Sequence, residues 1–203
     1  HKANVIGAYM LRIQVLFEEY GIDRQEWLDM LELAAIATVG DVMKLKDENR
    51  IVVKEGLKKL ANTKIQGLVS LMEKNTLDPE HISAYHVGFV LGPCLNASGR
   101  LKTAQMAMEL LLAENKAQAD ELADALKALN DERKDMTKDG TDAAIEQVET
   151  ELKDDKVLVV FLPDCHESLA GIVAGRIREY YNKPVFVLTR AEGCAKGSGR
   201  SIE

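Results

Sequence analysis

Val157-Leu158-Val159-Val160-Phe161-Leu162, the stretch Leu169 to Tyr181, and Pro184-Val185-Phe186-Val187-Leu188 decide the fold. The first run is apolar and rich in β-branched residues without alternation, the pattern of a strand buried in a parallel sheet. The middle stretch spaces its apolar residues as a helix does, and the last run reads as a second strand. Strand, helix and strand within about 30 residues predict a βαβ unit, and hence an α/β fold class for the chain. Gly171 and Gly175, one helical turn apart, are expected to let this helix pack closely on its sheet.

Working outward, the preceding sequence reads as almost entirely helical. Apolar residues from Ile6 to Tyr20 recur every three or four positions, with Gly21 as a stop. Trp27 to Val39 is apolar nearly all round, as in a helix buried on most sides, and Gly40 is expected to end it. Further helical patterns cover about Arg50 to Leu60, Ile65 to Met72 and His81 to Leu91, with Asp78-Pro79 as a helix start. Asn115 to Leu152 is rich in Ala, Asp, Glu, Lys and Leu and predicts one or two long, mostly solvated helices, with Thr137 to Thr141 as the place for a break. Three regions are therefore expected: a mostly helical part over 1–113, an acidic connecting part over 114–155, and an α/β part over 156–203.

The chain has 203 residues, of which 46% are hydrophobic and 29% charged, a composition that excludes a disordered or fibrous protein. No apolar run approaches the roughly 18 residues of a membrane span. The first residues lack the pattern of a secretory signal, so the expected location is the cytoplasm. Cys94, Cys165 and Cys194 are odd in number and widely spaced, which excludes a disulfide framework or a C-x-x-C site and leaves them as small buried hydrophobes. The net charge of −7 argues at first against nucleic acid. It is concentrated, however: the net charge is −1 over 1–113, −8 over 114–155 and +2 over 156–203.

Four places could carry chemistry. Asp41 follows a long apolar run and is expected at the edge of a core, either as a hydrogen-bonded turn residue or as a carboxylate facing a divalent cation. Gly92-Pro93-Cys94-Leu95-Asn96-Ala97-Ser98-Gly99-Arg100 reads as a loop; Asn96, Ser98 and Arg100 could grip a phosphate or sugar, or simply cap a helix. His166 lies between a buried strand and a helix N-terminus, where open α/β sheets bind ligands, though a lone histidine can equally be structural. Lys196-Gly197-Ser198-Gly199-Arg200-Ser201 offers two glycines, two hydroxyls and a guanidinium for an anion, with a surface hairpin as the alternative. It lacks the spacing of a P-loop. The ten aromatic residues do not interleave with the basic loops, so no base-stacking platform is visible.

Together these stretches resemble a known family. Ala35-Ile36-Ala37-Thr38-Val39-Gly40-Asp41-Val42, Asn49-Arg50, Gly56-Leu57, Leu95-Asn96-Ala97-Ser98-Gly99-Arg100-Leu101, Leu129-Asn130-Asp131-Glu132-Arg133, His166, Gly171-Ile172-Val173-Ala174 and Gly197-Ser198-Gly199-Arg200-Ser201 occur in the order seen in the RecJ family of the DHH phosphoesterase superfamily. The resemblance covers about Leu31 to Glu203. It implies a single-strand-specific 5′-to-3′ DNA exonuclease of repair and recombination, hydrolysing phosphodiester bonds with two Mn²⁺ or Mg²⁺ ions. Asp41 falls on a metal-binding aspartate. Asn96 and Arg100 fall on the loop lining the DNA path beside the scissile phosphate, and Ser198 and Arg200 on the pair that grips the 5′-terminal phosphate. His166 matches a histidine near the cleft between two lobes, which places it with Asp41 and Arg100 among the expected catalytic residues. A single-strand-binding protein or a helicase is the implied cellular partner.

The departures are equally specific. The family's Asp-His-Asp and Asp-His-His motifs, which supply most metal ligands, occur nowhere in this sequence. Cys94 stands where the family commonly has arginine, and Ser168-Leu169 where it usually has Gly-Val. The expected picture is an internal fragment: the helical end of a DHH catalytic lobe, a connecting helix, and the start of a DHH-associated lobe, inactive by itself. The alternatives are a DHH-family phosphodiesterase for nanoRNA or cyclic dinucleotides, and a non-catalytic relative that binds DNA or a partner.

Overall fold

The computed structural model describes residues 15, 18–21, 28–101 and 103–202. Most of the helix expected over Ile6 to Tyr20 lies outside them, as does Trp27. Among the described residues two compact units are present: one comprises His1–Gly99 with Thr103–Ala128, the other Arg100–Lys102 with Leu129–Glu203.

In the first unit, α1 (Leu31–Gly40), α2 (Asp47–Leu60) and α3 (Gln66–Lys74) follow the expected periodicities. Ile36, Leu60, Leu68, Leu71, Leu91 and Leu126 meet in its core. Asp78 caps a short 3-10 turn (Pro79–His81) by accepting from the Glu80 amide at 3.0 Å. α1 ends at Gly40, as expected, although Gly40 is not the residue that takes the left-handed conformation. The turn instead closes at Val42 (φ 53°), with the Val42 amide donating to the Val39 carbonyl at 3.0 Å and the Met43 amide to that of Thr38 at 3.1 Å. This is the Schellman pattern, with a β-branched residue in the left-handed position that glycine normally fills.

The stretch expected as a loop before Arg100 is helical. A single turn, α4 (Ala84–His86), widens into a π-helical turn (Val87–Leu91) and continues as α5 (Gly92–Leu101). Pro93 lacks an N–H, and in a regular α-helix its ring meets the carbonyl four residues back, that of Phe89. The wide π turn directly before it accommodates both defects. The short α6 (Gln105–Leu111) follows.

One uninterrupted helix, α7 (Lys116–Gln147), occupies the acidic stretch and ends in a second π-helical turn (Val148–Leu152). The expected break is absent because the hydroxyls of Thr137 and Thr141 donate to the carbonyls of Arg133 and Thr137, each at 2.6 Å, without leaving the helix. Nor is the helix mainly solvated: Ala123 and Leu126 enter the first core, Ala144 and Val148 the second.

The predicted βαβ unit is present in the second unit. β1 (Leu158–Phe161) pairs in parallel with β2 (Val185–Ala191), Leu158 opposite Val185 and Val160 opposite Val187, and α8 (Ala170–Tyr181) makes the crossover. Leu158, Val160, Val185 and Val187 face Val173 and Ile177 in a shared core. The Tyr181 hydroxyl donates to Glu149 at 2.8 Å, and burial together with that carboxylate pushes the phenol up to about 12. The glycine-rich stretch takes the surface-hairpin alternative: it is a third strand, β3 (Cys194–Arg200), the mostly exposed second arm of a hairpin with β2, antiparallel to it with Ser198 opposite Val187.

Candidate nucleic-acid interface

In the second unit the groups expected to bind an anion converge on the start of α8. Arg200 donates through Nη1 to Ser198 Oγ at 2.9 Å and to the Gly199 carbonyl at 2.7 Å. A Cβ added to Gly171 would lie 2.9 Å from Arg200 Nη2 and 3.1 Å from Ser198 Oγ, so the first turn of α8 sits directly against this pair. Glycine at 171 is what allows the approach, whereas nothing lies within 4 Å of such an atom on Gly175, whose expected packing role is not seen. The arrangement presents a guanidinium, a hydroxyl that accepts from Arg200 and whose hydrogen has no acceptor among the described residues, and the positive end of a helix dipole. Lys196 is engaged with Glu167 at 3.1 Å in an exposed pair.

His166 begins the turn that leads into α8. Its Nδ1 lies 2.7 Å from Ser168 Oγ and receives the Ser168 amide at 3.3 Å. The carbonyl of the same Ser168 accepts from Arg100 Nη1 at 3.1 Å. His166 also lines a cavity of about 330 Å³ with Asp139, Gly140, Asp164, Cys165 and Leu169. Burial pushes the Cys165 thiol up, which keeps it neutral in that cavity. Of the three cysteines only Cys94 is fully buried; Cys165 is half-buried and Cys194 exposed.

Asn96 and Arg100, four residues apart on α5, share one exposed helical face, an arrangement that the helix creates and a loop would not. Asp41 is exposed at the C-cap of α1 rather than at a core edge. Among the described residues no group of three or more His, Cys, Asp or Glu side chains could hold a metal ion. The described residues around Asp41 therefore do not compose a metal centre.

Sequence reasoning missed two features. Ser168 registers in the sequence only as a departure from the family, although its position two residues after His166 is the spacing of a local side-chain turn. Glu32, on α1, is 3% exposed and its Oε2 has no partner among the described residues. Burial raises its carboxyl above the ordinary value, with Thr63 and Lys59 opposing that rise. A helical apolar pattern gives no warning of a charge buried inside it.

The comparisons with known proteins agree with one another. The chain is 36% identical over 199 residues to the single-stranded-DNA-specific exonuclease RecJ of Salmonella typhimurium, covering 95% of this chain and 34% of that protein. It is 39% identical over 176 residues to the protein of the same name from Bacillus subtilis, covering 86% and 22%. In structure it superposes on RecJ of Thermus thermophilus in complex with Mn²⁺ with a TM-score of 0.79 at 32% identity, over 92% of this chain and 27% of that one. The chain thus spans between about a fifth and about a third of the curated relatives' length. No family model matches it.

Proposed function

From the premise that this chain is a relative of the RecJ exonucleases spanning between about a fifth and a third of their length, we propose that it is the part of a metal-dependent, single-stranded-DNA-specific 5′-to-3′ exonuclease that holds the 5′ end of the strand. The observation that carries this is the Ser198–Arg200 pair set against the first turn of α8. A terminal phosphate with two charges and several acceptor oxygens is the ligand for which a guanidinium, a free hydroxyl and helix amides are complementary. Arg100, which reaches the Ser168 carbonyl, offers a contact to an internal phosphate, and Asn96 is a further DNA contact proposed for the first unit. His166 adds a ring nitrogen to the same set of contacts.

In this reading Asp41 supplies one carboxylate to the Mn²⁺ or Mg²⁺ ions that activate water and stabilise the departing oxygen in two-metal hydrolysis. The remaining ligands come from outside the described residues. The same reading places the protein in DNA repair and recombination in the cytoplasm, with a single-strand-binding protein or a helicase as partner. Titrating the purified chain with labelled single-stranded and duplex oligonucleotides tests it. Tighter binding of the single strand, weakening steeply with added salt, is expected; equal affinity for the duplex, or binding indifferent to salt, contradicts it.

A further inference from the structure

We propose that Ser168 is a positioning residue that sets the tautomer of His166, so that the ring meets DNA as a hydrogen-bond donor; this deepens the function proposed above and rests on it. The Ser168 backbone amide can only donate, and it donates to Nδ1 of His166 at 3.3 Å. At that length the amide favours a lone pair on Nδ1 without fixing it alone, and the short contact from the hydroxyl completes the choice; a neutral imidazole then carries its one proton on Nε2. The Ser168 hydroxyl, 2.7 Å from the same Nδ1, donates as well and is the shorter of the two contacts. Nε2 is left without a partner among the described residues, on a side chain that lines the 330 Å³ cavity at the start of α8.

The chemical consequence is selective. An Nε2–H is a donor to a phosphate oxygen. It has no lone pair with which to ligate a metal or to take a proton from water. The serine thus assigns His166 to gripping substrate, and it does so with a hydroxyl that the family's usual glycine at this position lacks. The carbonyl of Ser168 simultaneously accepts from Arg100 at 3.1 Å, so one residue sets both a histidine and an arginine of the candidate site.

Ser168→Ala removes the hydroxyl and leaves the carbonyl that Arg100 reaches; Ser168→Thr restores the hydroxyl. The test is a long-range proton–nitrogen NMR spectrum of the histidine-labelled chain in mildly alkaline buffer. In the unsubstituted chain, His166 Nδ1 is expected in the unprotonated range and Nε2 in the protonated range. In Ser168→Ala the two resonances should move toward each other as the tautomers mix, and Ser168→Thr should return them. A protonated Nδ1 in the unsubstituted chain, or an unchanged spectrum in Ser168→Ala, overturns the proposal. Affinity for a 5′-phosphorylated single-stranded oligonucleotide, measured on the same samples, should fall about three- to tenfold in Ser168→Ala and recover in Ser168→Thr. If the tautomer follows the hydroxyl while the affinity does not, His166 faces no DNA, and the reading of this turn as a substrate contact fails while its positioning role stands.

Discussion

Gly197 on β3 lies against the carbonyl of Val187 on β2 so closely that a Cβ on it would fall 2.1 Å from that oxygen. The glycines of this strand therefore serve strand packing first, and Ser198 and Arg200, the groups proposed to grip a phosphate, are mounted on a paired strand rather than on a loop. Replacing Gly197 by alanine forces β3 away from β2. A loss of roughly 1–3 kcal/mol in unfolding free energy is expected, checked by urea denaturation. Unaltered stability would show that the strands can separate at no cost.

Val42 holds a left-handed backbone at φ 53° immediately after Asp41 and is 88% exposed, so no packing compensates the strain. Val42→Asn keeps the turn and removes the β-branched clash. It should raise stability by about 1 kcal/mol, seen as a higher Tm. A lower Tm would mean that the valine side chain contributes contacts that outweigh its backbone cost.

Glu32 makes stability depend on pH. Burial raises its folded-state carboxyl above the ordinary value of 4.5, so the folded protein binds this proton more tightly than the unfolded chain does. Its contribution is present in acid and declines as pH rises through the window that opens at 4.5 and extends upward. Glu32→Gln, which keeps an acceptor for Thr63, should flatten that decline and be more stable than the unsubstituted protein at neutral pH. Parallel pH–Tm profiles for the two proteins would refute it.

How much is legible in the sequence follows from which residues act locally. The unalternating run Val157 to Leu162 announces a parallel strand, and the βαβ unit that it predicts is present, but the strand is not buried on both faces. Leu158, Val160 and Leu162 enter the core while Val157, Val159 and Phe161 are exposed, because the helix α8 covers one face of the sheet. Gly92 and Pro93 point to a loop because their usual effect is to break helices. That the helix continues depends on the π turn before them, a backbone choice made by the whole segment. Gly193 to Ser201 carries turn composition, yet Cys194 to Arg200 pairs as a strand because β2 offers it an edge directly across the turn that Gly193 (φ 68°) makes. The convergence of Ser198 and Arg200 on Gly171 is a tertiary relationship between residues far apart in the chain, and only the order of the motifs hints at it.

Asp41 stands without companions that could complete a metal centre among the described residues. The purified 203-residue chain, supplied with Mn²⁺, should leave an end-labelled single-stranded oligonucleotide intact on a denaturing gel. Metal-dependent shortening of the strand that copurifies with the chain, and disappears in Asp41→Ala, would show that it assembles a working centre by itself.

The central claim is that Ser198, Arg200 and the first turn of α8 hold a terminal phosphate. The most direct measurement compares the affinities of the unsubstituted chain and Arg200→Gln for two single-stranded oligonucleotides identical except for a 5′-phosphate or a 5′-hydroxyl. The account predicts that the unsubstituted chain prefers the phosphorylated strand by about tenfold or more and that Arg200→Gln loses most of that preference, as expected for a charge-assisted hydrogen bond. Equal affinity for the two strands, or a preference untouched by Arg200→Gln, would contradict it.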